Sequence, residues 1–156
     1  MSSSPFSSST CPTYNKTVDK LKGLGYVDAS GNLTAEHDAA TQHWGAGWRM
    51  PTHAEHVALY NNCDWKWTRQ NGVDGYAVKG RGAYSAYSIF LPAAGYGLDT
   101  NFYFVGSYGY YWSSTPDSHS YSAWYLDFFS SYIYPDNVGS RDFGFSVRAV
   151  RGFTQQ

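Results

Sequence analysis

Ala123-Trp124-Tyr125-Leu126-Asp127-Phe128-Phe129-Ser130 is the stretch that decides the fold. Trp124, Leu126 and Phe128 alternate with Tyr125, Asp127 and Phe129, a period of two that belongs to a strand with one face on a core. The first set points inward and the second outward. Towards the C-terminus, Phe145-Ser146-Val147-Arg148-Ala149-Val150 reads as a terminal strand. Towards the N-terminus, Ser88-Ile89-Phe90-Leu91 is a short buried strand ended by Pro92. Trp65-Lys66-Trp67-Thr68 and Tyr76-Ala77-Val78 flank a turn at Asn71-Gly72, which makes a hairpin. Further upstream the signals become helical. Thr34 can cap a helix over 35–44, with Glu36 and Asp38 near the positive end of its dipole and Gly45 as its stop. Thr52-His53-Ala54-Glu55 is a capping box that opens a second helix over 53–61, with Ala54, Val57, Ala58 and Leu59 as the candidate buried residues. The expected fold is α+β: two helices flanking short, twisted antiparallel strands with extensive loops.

A chain of 156 residues makes one domain with a core of useful size. The expected organisation is a flexible leader over 1–12, a single domain over 13–153 and a tail over 154–156. The Ser-rich leader has neither the basic nor the apolar region of a signal peptide. A net charge of −1 without a basic stripe argues against nucleic acid and anionic membrane as partners. No apolar run approaches the ~20 residues of a membrane span. Cys11 and Cys63 are expected as free thiols. From Gly80 to Phe153 there is no Lys, Glu, Gln or Met, yet that segment holds 11 of the 15 Tyr and 12 Ser. Tyr supplies rigid amphipathic contact area, while Ser, Gly and Asp adapt and hydrogen-bond, so the composition is that of a recognition surface.

Chemistry of other kinds finds little footing. His53 and His56 are i, i+3 neighbours on one helix, but His53-Ala54-Glu55-His56 lacks the spacing of a zinc motif and reads as a pair of solvated histidines. Cys63 has no neighbouring base and reads as a buried structural thiol. No serine sits in a nucleophile elbow, and the glycine pairs form no phosphate loop. The sequence therefore predicts no catalysis, no metal and no cofactor. Arg49, Arg141 and Arg148, isolated among apolar neighbours, are expected to hold framework carboxylates or carbonyls. The tryptophans are expected in the core. Tyr108, Tyr110, Tyr121, Tyr125, Phe129, Tyr132, Tyr134 and Phe143 are expected outside it, where so many aromatics mark an interaction surface.

Gly47-Trp48-Arg49-Met50-Pro51-Thr52-His53-Ala54-Glu55 resembles the W-R-[ML]-P-T-x-x-E signature of the formylglycine-generating-enzyme-like branch of the C-type lectin fold. Leu33-Thr34 through Asp38-Ala39-Ala40, Asn62-Cys63-Asp64-Trp65-Lys66-Trp67-Thr68 and Tyr111-Trp112-Ser113-Ser114-Thr115 resemble the Fibrobacter major paralogous domain family. So do Ile89 to Tyr96 and Gly144 to Val150. Variable proteins of diversity-generating retroelements end in this same block. There a reverse transcriptase randomises adenines, typically at Asn codons of AAY form, and the resulting NNY codons never encode Lys, Glu, Gln, Met or Trp. The calcium-binding motifs of animal C-type lectins and the cysteine pair of formylglycine-generating enzymes are both missing.

The resemblance implies a variable ligand-binding region over about 107–143. Its variable residues would be Ser107, Tyr108, Tyr110, Asp117, Ser118, His119, Ser120, Tyr121, Tyr125, Asp127, Phe129, Tyr132, Tyr134, Asp136, Asn137, Ser140, Asp142 and Phe143. The implied function is non-enzymatic recognition of a protein or glycan on a cell surface, by a phage tail fibre tip or a bacterial adhesin. The alternative is an invariant structural or carbohydrate-binding domain of a bacterial surface protein.

Overall fold

A computed structural model describes residues 4–151. It is an α+β fold in which four small antiparallel sheets carry most of the regular structure. The N-terminal third holds α1 (Val18–Gly23), α2 (Ala39–Trp44), β1 (Trp48–Arg49) and α3 (His53–Asn62). Next come β2 (Cys63–Gln70), β3 (Val73–Gly80) and β4 (Ser88–Pro92), then the short pair β5 (Tyr96–Leu98) and β6 (Asn101–Tyr103). The chain closes with β7 (Tyr108–Pro116), β8 (Ser122–Phe129), β9 (Tyr132–Ser140) and β10 (Val150–Arg151). β2-β3-β4 and β7-β8-β9 are three-stranded meanders, and β10 returns to pair with β1.

The core lies between the two meanders. Tyr76, Val78 and Leu91 from one meet Tyr111, Leu126 and Phe128 from the other, with Trp65, Trp67, Ile133 and Leu59 packed around them. Tyr76 places its ring edge-on to Phe128 at 5.2 Å, a favoured aromatic geometry. Its hydroxyl donates to the Phe129 carbonyl, and that of Tyr111 donates to the Pro92 carbonyl, so neither phenol is buried unpaired. The β2–β3 hairpin turns at Asn71 and Gly72, both at positive φ as expected for an Asn-Gly turn.

The signature residues meet at one junction. Asp38 caps α2 through the Thr41 amide and also accepts from the Met50 amide at 2.8 Å. Arg49 grips Glu55 through two hydrogen bonds of 2.7 and 2.6 Å. Thr52 and Glu55 form the expected capping box at the start of α3. The Pro51 carbonyl accepts from Ser114, and the Thr115 hydroxyl donates to Asn32 while accepting from the His53 amide.

Several expectations need correcting. The helix expected over 35–44 begins only at Ala39, because Asp38 rather than Thr34 is its cap; Thr34 instead bonds the Gly25 carbonyl and His37. α1, capped by Thr17, was not expected. In α3, Ala54 and Ala58 are exposed while His56 is buried, so the helix faces the core one step round from the expected stripe. Residues 145–149 make only a single bridge, Tyr111 to Ser146, and only Val150–Arg151 forms a strand. Trp44 and Trp48 are exposed, and Arg151 lies 5.4 Å from the Trp48 ring centre. Residues 4–12 are not a loose leader. Phe6 bridges to Asp99, and its ring fills the space over Gly97 and Gly144, where an added Cβ would lie within 2.7 Å of it. Residues 1–3 and the end of the chain from 152, including the expected tail over 154–156, lie outside the described residues.

Candidate functional site: the outer face of the β7-β8-β9 sheet

Strand alternation sends Tyr111, Leu126, Phe128 and Ile133 to the core, and so sends their neighbours to the opposite face. The register assembles those neighbours into rows. Tyr108, Phe129 and Tyr132 lie side by side; then Tyr110, Asp127 and Tyr134; then Trp112, Tyr125 and Asn137. A bulge in β9, around Pro135 and Asp136, keeps the third row aligned with the second. The result is a three-by-three face with Asp127 at its centre and seven aromatic residues among its eight neighbours.

The rings touch. Tyr132 stacks on Tyr134 at 5.0 Å and on Phe129 at 5.6 Å, and Phe129 meets Tyr108 at 5.0 Å. Tyr110 stacks on Phe145 at 5.0 Å, and Trp112 stacks on Phe145 at 4.3 Å. Exposure falls from one edge to the other: Tyr132 is 53% exposed and Tyr134 41%, whereas Tyr108, Tyr110, Tyr125 and Phe129 are half-buried.

Asp127 itself is only 8% exposed. Its one side-chain partner is the Asn137 amide, which donates at 3.2 Å. Burial raises its pKa, and the Asn137 amide and its own backbone amide only partly oppose this. The tyrosines around it respond in kind. Tyr110 is pushed up to about 12 by burial and then by the Asp127 charge, and Tyr125 is raised by the same two causes. Tyr134 is raised by desolvation and then by Tyr132, with Asp127 a lesser contributor.

The remaining expected residues scatter. Asp117, Ser118, His119, Ser120 and Tyr121 form the β7–β8 loop at the far end of the hairpin from Tyr132. Asp117 is buried there and works as scaffold: it accepts from Ser122 at 2.8 Å and from the His119 backbone and ring. Burial pushes its pKa up, but those hydrogen bonds outweigh burial and hold it below the usual carboxylate range. Ser118, His119 and Tyr121 are exposed, Ser120 half-buried. Ser140 pairs with Ser122 at the end of β9 and accepts the Phe143 amide through its carbonyl. Asp142 is half-buried with an unpartnered Oδ1. Asp136 sits in the bulge, where its charge acts on His53 behind the sheet. Phe143 joins the aromatic face indirectly, 5.5 Å from Tyr96, and Ser107 is exposed in the turn before β7. Asp117 and Asp127 therefore depart from the expectation of exposed contacts, since each is buried by its own loop or sheet.

The face also recruits residues outside the expected set. Tyr96 lies edge-on to Tyr110 at 5.2 Å, and Phe104 meets Tyr108 at 4.9 Å. Phe104 continues into Phe102, Tyr103 and Val105, all exposed. The signal for them was available: the segment lacking Lys, Glu, Gln and Met begins at Gly80 and takes in all of these residues.

Behind the sheet the arrangement is different. His53 stacks on Trp124 at 4.1 Å and His56 is buried, so neither is a solvated helix histidine. A cavity of about 380 Å³ lies there, lined by Leu59, Ile89, Leu91, Leu126, His56 and Arg148 among others. Arg141 is wholly engaged in framework, donating to the carbonyls of Thr13, Lys16, His119, Ser120 and Ser122. Both cysteines are free. Among the described residues no helix is long and apolar enough to cross a membrane, and no three His, Cys, Asp or Glu side chains gather as a metal site.

Residues 64–150 match a family described as a domain of unknown function (DUF8237), and the chain belongs to that family. The matched segment contains the whole aromatic face and nearly all of both meanders. No curated protein and no solved structure matches the chain.

Proposed function

We propose that this chain is a non-enzymatic ligand-binding protein, a variable protein of the diversity-generating retroelement kind, displaying its recognition face on a C-type lectin scaffold. The observation that carries the proposal is the composition of the three-by-three face. All of its positions except Trp112 are ones that the resemblance marks as variable. Residues scattered between 108 and 137 in the sequence thus converge on a single surface, as a diversified binding site requires. Its large, rigid rings suit the centre of an interface, where a few aromatic anchors supply most of the binding energy. The junction of Asp38, Arg49, Glu55, Thr52 and Ser114 supports the C-type lectin scaffold, because the signature residues are those that lock the framework together. The ligand is a protein or glycan on a cell surface, met by a phage tail tip or a bacterial adhesin.

Two measurements test the proposal. The encoding gene should lie near a reverse transcriptase gene and a near-repeat of the codons for 107–143 that differs only at adenines. Sibling genes that vary evenly along their length would instead favour an invariant surface domain. Independently, Tyr132→Ala should weaken capture of a cognate surface ligand by on the order of 2 kcal/mol, while thermal stability moves by no more than about 0.5 kcal/mol. Full binding by that variant would remove this face from the interface.

A further inference from the structure

We propose that the centre of the aromatic face is a receptor for one guanidinium group, the side chain of an arginine presented by a protein ligand. The inference rests on the recognition reading of this face and gives it a ligand chemistry. Asp127 is 8% exposed and lies between Tyr110 and Tyr134 in register, with Tyr125 and Phe129 on either side along β8. No Lys or Arg side chain among the described residues approaches it to form an ion pair, and its sole side-chain partner is the neutral Asn137 amide.

A buried carboxylate is costly unless paired, and native proteins normally supply the pair. This chain does not. The segment from Gly80 to Phe153 contains no Lys at all. Its arginines are committed elsewhere: Arg81 to Asp64, Arg141 to five backbone carbonyls, and Arg151 against Trp48. Arg148 lies behind the sheet, beside the cavity under α3. The missing cation is therefore one that a ligand must bring.

The walls narrow the class of cation. Aromatic rings attract cations to their faces, and a planar guanidinium stacks on them more readily than an ammonium does. It is also less strongly hydrated, so it loses less on entering a half-dry site, and it can hydrogen-bond the carboxylate while lying flat on a ring. None of the surrounding tyrosine hydroxyls is hydrogen-bonded to Asp127, which leaves that carboxylate free to accept. Burial already disfavours its charge, and an incoming cation would relieve that penalty.

The test selects a random linear peptide library against the whole chain and keeps only peptides whose binding is lost with Tyr132→Ala. Arginine should be enriched among them. Resynthesis with citrulline, its neutral isostere, should weaken binding by on the order of tenfold, and lysine should restore only part of it. Asp127→Asn should lose the same factor towards the arginine peptides and none towards the citrulline ones. That variant should also melt at a higher temperature at neutral pH, which a merely structural aspartate would not do. Retained peptides without arginine enrichment, equal binding of the citrulline forms, or unaltered binding by Asp127→Asn would each overturn the cation site while leaving the face as a binding surface. If no retained peptide emerges, the face itself fails, and the inference falls with it.

Discussion

His56 lies in the first turns of α3 with 4% of its surface exposed and an Nδ1 that meets no hydrogen-bond partner. Burial, and then the neighbouring His53, lower its pKa to about 4, with Glu55 opposing. The imidazole is thus neutral in the folded protein while the unfolded chain titrates near 6.5. Between those values the unfolded state binds a proton that the native state refuses. Stability contributed by the neutral ring is therefore present above about pH 6.5 and lost as the pH falls towards 4. The full window is worth about 3 kcal/mol at the conversion of one pKa unit to 1.36 kcal/mol. Urea unfolding at a series of pH values should show that decline, and His56→Leu should flatten it. An equally steep decline in the variant would assign the acid sensitivity to other groups. Asp127 runs in the opposite sense. Its pKa is raised, so the native state holds its proton more tightly, and stability falls as the pH climbs from the unfolded to the folded value.

The β7–β8 hairpin depends on a glycine. Gly109 faces Phe128 across the pair on the core side, and a Cβ there would lie 2.2 Å from the Phe128 ring, which is fully buried. Gly109→Ala must expel or tilt that ring, at a cost of about 1–3 kcal/mol for overpacking. Thermal unfolding should register the loss. Ligand capture should weaken too, because Phe128 backs the strand that carries Asp127 and Phe129; unaltered melting would mean that the two strands can part without cost. The strands β2, β3, β4 and β8 were legible from local period-two and turn signals, and the capping box of α3 is a purely local signal. β7 and β9 were not, because irregularities in their pairing interrupt the alternation. Other elements were set by distant partners. Thr34 and Asp38 are both competent caps; Asp38 wins because it also receives the Met50 amide. Residues 145–149 have a strand's alternation, but the Phe145 ring is taken up by Trp112 and Tyr110 on the outer face. The outward direction of Tyr125 and Asp127 could be read from the strand. Their burial could not, because the rings that cover them come from β7, β9 and Phe145.

At the scale of the whole molecule, the N-terminal segment binds together parts that the sequence keeps far apart. Its Ser-rich composition has the signature of disorder. The partners of Phe6 are two glycines, and a gap left by missing side chains gives no sequence signal. Yet the ring covers Gly97 from β5 and Gly144 beyond β9, while Gly97 and Gly144 exchange backbone hydrogen bonds beneath it. A few residues later, the Thr13 and Lys16 carbonyls accept from the Arg141 guanidinium, which also holds the β7–β8 loop through His119, Ser120 and Ser122. The thiol of Cys11 donates to the Arg141 carbonyl. The segment therefore ties together the return from β9 and the loop where Asp117 is buried. Phe6→Ala should cost roughly 1–3 kcal/mol, less than the loss of a fully buried phenylalanine because the ring is only half-buried. Limited proteolysis should then cut within residues 4–16 well before the remainder of the chain opens, since local unfolding starts where packing is lost. Tyr132 lies at the opposite end of the β7–β8 hairpin from that loop, so ligand capture at the aromatic face should persist in this variant. Wild-type resistance to cleavage in Phe6→Ala would mean that the Arg141 carbonyl network alone holds the segment, and Arg141→Lys, which cannot span five carbonyls, should then release it.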